Sequence, residues 1–210
     1  MLTHNLVPSM YSLPFFAAIG NPELGKKLLD DLLRRYAEHW RAYHTIDHIF
    51  MMLDGFEEVM HLLTDPRAVL LAIWYHDAVY FPRLSNNEEQ SLKLAAQDLF
   101  RAGCDAMFIK KVCDHIRASD HREGEEDPDT QVFLDLDLAI LGKDESTFDR
   151  YDRTIRQEYI FVEDEEYEKG RLQVLERFLR RKPLYYTSPL REKYEKQAKQ
   201  NLKRAIQNLS

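Results

Sequence analysis

Apolar residues recur at three- and four-residue intervals along most of this chain, the spacing of one face of an α-helix. Leu28, Leu29, Leu32, Leu33 and Tyr36 form such a stripe, and Asn21-Pro22 before it reads as an N-cap with proline in the first helical position. The pattern predicts helices over about 22–40 and 45–63. Asp65-Pro66 repeats the cap-plus-proline start, and Val69, Leu70, Ile73 and Trp74 carry a third helix to about Ala78. Ser85 with Glu88 three residues on forms a capping-box pattern for a helix ending near Arg101, with Gly103 as its stop. Asp105 can cap the next helix, which runs through Val112 and Ile116. Asp127-Pro128 opens another that Gly142 closes. Two long amphipathic segments follow at about 145–160 and 164–181, and Ser188-Pro189 starts a terminal helix. No segment alternates convincingly as a strand, and no internal repeat or Gly/Ser-rich linker interrupts the chain. The expectation is an all-α, single-domain helical bundle over 1–210, with helices of about 145–208 packed on a motif-bearing core of about 22–142.

Composition narrows the class. With 210 residues, 44% apolar and 31% charged, the chain can bury a core and is neither collagen-like nor low-complexity. No stretch approaches the ~20 apolar residues of a membrane span. The short apolar run from Leu13 to Ile19 lacks the basic leader and cleavage site of a signal peptide. A cytoplasmic protein is expected. Its two cysteines, Cys104 and Cys113, are too few for a disulfide framework or a thiolate zinc site, so any metal must be held by histidine and carboxylate.

The net charge of −7 argues against a dedicated nucleic-acid binder. It is unevenly spread: residues 1–118 carry −3, residues 119–168 carry −13 and residues 169–210 carry +9. Two solvated, mutually attracting helix faces account for that split; the basic tail can also serve a phosphate-bearing ligand or a partner. An exposed apolar stripe on the C-terminal helices would allow a homodimer.

Three clusters carry chemistry. In Arg41-Ala42-Tyr43-His44-Thr45-Ile46-Asp47-His48, His44 and His48 are four apart, so on a helix they share one face and can share a metal, or one can bind while the other moves protons. In Ala72-Ile73-Trp74-Tyr75-His76-Asp77, a His-Asp doublet ends a strongly apolar helix, a costly placement unless a partner such as a divalent cation compensates. In Phe133-Leu134-Asp135-Leu136-Asp137-Leu138-Ala139-Ile140-Leu141-Gly142, Asp135 and Asp137 are about 200° apart on a helix, so one or the other can face such a site, not both. His115 and His121 would diverge by about 240° on one helix, so both reach one site only if the helix ends between them. His4, His39 and His61 read as surface residues.

The order His48, His76-Asp77, Asp137 resembles the H…HD…D signature of the HD-domain superfamily of metal-dependent phosphohydrolases. The Tyr43-His44-Thr45-x-x-His48 block, the Trp74-Tyr75-His76-Asp77 block and the Asp135-to-Gly142 block together are similar to its predicted phosphohydrolase branch. The resemblance covers residues 40–142 by motif. It implies an all-α bundle around one or two divalent ions (Mn, Mg, Zn, Co or Fe), with His48, His76, Asp77 and Asp137 as ligands; Asp137 is taken over Asp135 because it holds the second acidic position of the family's Asp-x-Asp segment. His44 resembles the general acid of the related cyclic-nucleotide phosphodiesterases, although Thr45 stands where those enzymes have Asn. Asp77 would also orient the attacking water. The substrate implied is a nucleotide or other small phosphorylated metabolite, with Arg41, Arg117 and His121 as candidates to bind its oxygens. The same fold also admits a di-iron oxygenase or a non-catalytic metal- or nucleotide-binding sensor.

Overall fold

A computed structural model of the chain describes residues 7–121 and 124–209. Its contacts divide the chain into two compact units, residues 1–134 and 135–210, and the division falls inside a helix. Among the described residues there are helices and turns and no strand, so the fold is all-α. None of these helices is long and apolar enough to cross a membrane.

The first unit contains α1 (Ser9–Ile19), α2 (Pro22–Tyr36), α3 (Ile46–Val59, followed by a 3-10 turn at Met60–Leu62), α4 (Pro66–Tyr75), α5 (Asn87–Arg101), α6 (Ala106–Ala118) and most of α7 (Pro128–Asp137). Helix α4 is its axis. Every residue from Ala68 to Tyr75 is buried, as expected of a helix that is apolar all round. Helices α1, α3, α5 and α6 all pack against it. Running through the core in this way, α4 delivers His76-Asp77, the two residues directly after Tyr75, into the interior of the unit.

Local capping sets where α4 begins. The Asp65 carboxylate accepts from the Ala68 amide at 3.1 Å. Beside it, buried Asp129 in the first turn of α7 accepts from the amides of Thr64 and Asp65, both at 2.8 Å. The N-termini of α4 and α7 are therefore tied together, and the two helices are each ten residues long. Asp105 and Asn21 cap α6 and α2 as their sequences predict, and Gly103 ends its segment in the left-handed region at φ +80°.

Two features differ from the sequence expectation. Helix α1 has no apolar stripe and contains Pro14, so periodicity does not mark it. Ser85 does not cap α5; the cap position is Asn86, and Asn87 instead laces the preceding turn, accepting from the Phe81 amide and donating to the carbonyls of Phe81 and Leu84.

The second unit holds a 3-10 turn (Leu138–Gly142), α8 (Glu145–Glu158), α9 (Asp164–Arg180) and α10 (Ser188–Leu209). Helix α10 packs on α9 and on the 3-10 turn, where buried Asn201 donates to the carbonyls of Leu141 and Lys143. Asp135 belongs to this framework. Its carboxylate accepts from the amides of Tyr186 and Thr187 and from the Thr187 hydroxyl, at 2.7–2.8 Å.

Candidate metal centre

Three donor atoms from the ends of α3 and α4 converge in the first unit. His48 Nε2 lies 3.2 Å from His76 Nε2, and Asp77 Oδ2 lies 3.0 Å from His76 Nε2 and 3.8 Å from His48 Nε2. Both imidazoles are buried, while the Asp77 side chain keeps 18% of its surface exposed. The site is thus walled by protein on the histidine side and open at the carboxylate.

The hydrogen bonds behind the rings fix what the converging atoms offer. His76 Nδ1 lies 3.0 Å from the Ile73 carbonyl, which can only accept, so the proton is on Nδ1 and Nε2 presents a lone pair. His48 Nδ1 lies 3.1 Å from the Tyr43 hydroxyl, which can accept from it in the same way. Two imidazole lone pairs and a carboxylate oxygen at such range repel unless a cation lies among them. A proton can bridge one pair of these atoms; a divalent ion takes all three. Donors that share a first-row ion at bond lengths of about 2.0–2.2 Å stand about 3.0–3.6 Å apart, which is close to the range of this triangle. The mixed nitrogen and oxygen set suits Zn, Mn, Fe or Co better than Ca or Mg. Carbonyl and hydroxyl partners that orient metal-binding histidines from behind are the usual support of such sites.

Asp137 is the last residue of α7, the helix whose first seven residues belong to the first unit. One ligand atom each from His48, His76 and Asp137 lies within 4.8 Å of the others, so this His-His-Asp cluster could hold a metal ion. Asp135, the sequence alternative, spends its oxygens on Tyr186 and Thr187 instead.

Burial by itself opposes ionisation of Asp77, but positive charge on the adjacent His76, with His44 and His48, overrides it and holds the carboxyl well below the usual range.

His44 is not on a helix with His48. Helix α3 starts at Ile46, and Thr45 before it is extended, so the expected one-turn spacing does not apply. The rings still meet at 6.1 Å between centroids, because the loop folds His44 onto Tyr80 at 4.2 Å. His44 also lies close enough to Asp77 to act on its charge.

The candidate substrate-binding residues fare differently. Arg41 is not available to a substrate: its side chain is fully buried and its guanidinium is committed to Glu38 and to three backbone carbonyls. Arg117 is an exposed residue of α6, paired with Asp114 at 2.7 Å. His121 is buried just beyond α6 at φ +54°, with its amide donating to the Ala118 carbonyl. His115, also buried, donates from Nδ1 to the Thr130 hydroxyl at 2.7 Å, which itself donates to Asp127. His39 and His61 are not buried, and His4 lies outside the described residues.

No family model, curated protein or solved structure matches this chain.

Three supporting residues carry no sequence signal for the part they play. Tyr43 belongs to the motif block, but nothing in the pattern marks its hydroxyl as the partner of His48. Asp129 shows only as an acidic residue in a first turn. Arg41 stands in a polar loop, where an arginine is ordinarily solvated.

Proposed function

We propose that this protein is a metal-dependent phosphohydrolase of the HD-domain type, acting on a nucleotide or another small phosphate ester. The observation that carries the reading is the convergence of His48 Nε2, His76 Nε2 and Asp77 Oδ2, with His44 beside them. The motif order of the sequence agrees with it. His48, His76, Asp77 and Asp137 would hold the ion. When bound, a divalent ion there supplies Lewis-acid polarisation of a phosphoryl oxygen and makes water a nucleophile near neutral pH.

The chain's own residues supply the rest. Asp77, ionised and partly open to solvent, accepts a hydrogen bond from the attacking water and fixes its direction. His44 is in reach of the same volume, and imidazoles as a class change charge near neutral pH, so a ring nitrogen of His44 donates the proton to the leaving oxygen. Burial of His48 and His76 keeps bulk water away from their Nε2 atoms. With Arg41 committed elsewhere, Arg117 and His121 are the remaining candidates to carry charge on the other phosphoryl oxygens.

The test is metal analysis of protein purified without chelator, followed by a screen of mono- and dinucleotides and generic phosphate esters with Mn, Co or Mg. Phosphate release that Asp77→Ala abolishes is the expected result. Absence of release from every ester, under every metal, overturns the proposal.

A further inference from the structure

The segment that precedes α3 is laced to the segment after α4, and Arg41 makes most of the stitches. Its Nη1 donates to the His44 carbonyl at 2.9 Å and to the Asp77 carbonyl at 2.8 Å. Its Nη2 donates to the Ala78 carbonyl at 3.3 Å, and its Nε to Glu38 at 3.0 Å. Next to it, Trp40 Nε1 donates to the Tyr80 carbonyl at 2.7 Å. The guanidinium also lies over the rings of Tyr36 and Tyr80, at 5.2 and 5.4 Å.

A buried guanidinium is costly unless every donor is met and its charge is balanced. Here the three carbonyl dipoles and Glu38 meet it. Two of those carbonyls belong to His44 and Asp77 themselves. One nitrogen atom therefore holds the backbones of two residues whose side chains meet at the site. A planar, rigid fork can do this where a lysine ammonium, a single point on a flexible stem, cannot reach the same set of acceptors.

We infer that Arg41 is the positioning residue of this centre: it fixes the separation of the His44–His48 segment from the His76–Asp77 segment, and so the geometry offered to the ion. The inference rests on the metal-centre reading above. It makes Arg41 neither a ligand nor a contact to substrate.

The test is Co(II) titration of the full chain followed by visible absorption, which reports ligand geometry, together with the thermal midpoint of the metal-free protein. Arg41→Lys is expected to remain folded with a lowered midpoint while binding Co(II) at least about tenfold more weakly, the scale seen when support behind metal ligands is lost, and with an altered d–d spectrum. Amide hydrogen exchange should quicken in residues 42–48 and 76–80 together. If Arg41→Lys melts far below the wild type, Glu38→Gln replaces it; that variant leaves the fork in place, frees one end, and should weaken Co(II) binding by a smaller factor. Wild-type Co(II) affinity and spectrum in the folded variant overturn the inference alone. Wild-type protein that takes up no Co(II) overturns the metal-centre reading and this inference together.

Discussion

The Nε2 atoms of His48 and His76 stand 3.2 Å apart although 28 residues separate them in sequence. Each ring is held from behind by an oxygen, the Tyr43 hydroxyl for one and the Ile73 carbonyl for the other. That arrangement makes the pair a preset chelate, whose value depends on the rings' orientation as much as on their identity.

Tyr43→Phe separates the two. It removes the oxygen at 3.1 Å from His48 Nδ1 and leaves the ring in place. Metal affinity should fall by about tenfold, at the lower end for such support, with little change in the melting of the metal-free protein. Isothermal titration with Mn(II) or Co(II) measures the first and a thermal melt the second.

Asp129→Ala should destabilise the fold by about 3 kcal/mol, because two backbone amides lose a buried charged acceptor. Asp129→Asn keeps one carbonyl oxygen and should lose roughly half of that. Urea unfolding of the pair of variants checks the ratio; equal midpoints for wild type and Asp129→Ala would remove Asp129 from the account of how α4 and α7 are joined.

Stability should fall as pH drops through the imidazole range, with His115 as one source. Burial pushes His115 below the ordinary value, against the pull of Asp127, Asp129 and Asp114 and with a small push from Lys111. The folded state therefore takes up its proton less readily than the unfolded chain. The contribution is complete above about pH 6.5 and is lost below it, at no more than about 1.4 kcal/mol per pH unit for one group. His115→Asn keeps a donor toward Thr130 and cannot titrate. Its unfolding free energy between about pH 7 and 5.5 should be flatter than the wild type's, as parallel urea melts will show.

Gly142→Ala should cost about 1–3 kcal/mol through overpacking. A Cβ at residue 142 would lie 2.5 Å from Tyr194 Cβ and 2.7 Å from the Tyr194 carbonyl oxygen, and the backbone of α10 cannot swing aside as a side-chain tip can. A shift in the urea midpoint without a change in slope is the expected signature.

Much of the architecture can be read from local pattern. Asn21-Pro22, Asp65-Pro66, Asp105 and Asp144 all cap the helices they precede, because a cap is a bond between residues three apart. Helix α1 is not legible in this way, since it is apolar without a stripe and its burial is set by α2 and α4. The Ser85 box fails for a related reason: Asn87 finds its acceptors in the turn before it.

By itself the sequence determined the helical class and most helix starts, which depend on residue type and on spacings shorter than a helix. The candidate ligands His48, His76, Asp77 and Asp137 rest instead on the resemblance of their order along the chain to the HD-domain motif. Only the tertiary structure decided that His44 approaches Asp77 from a loop rather than from α3, that Asp135 turns to Thr187, and that Arg41 is buried between two backbones. Each of these depends on partners more than 30 residues away, and the direction of a side chain toward distant partners is set by packing, which no local pattern encodes.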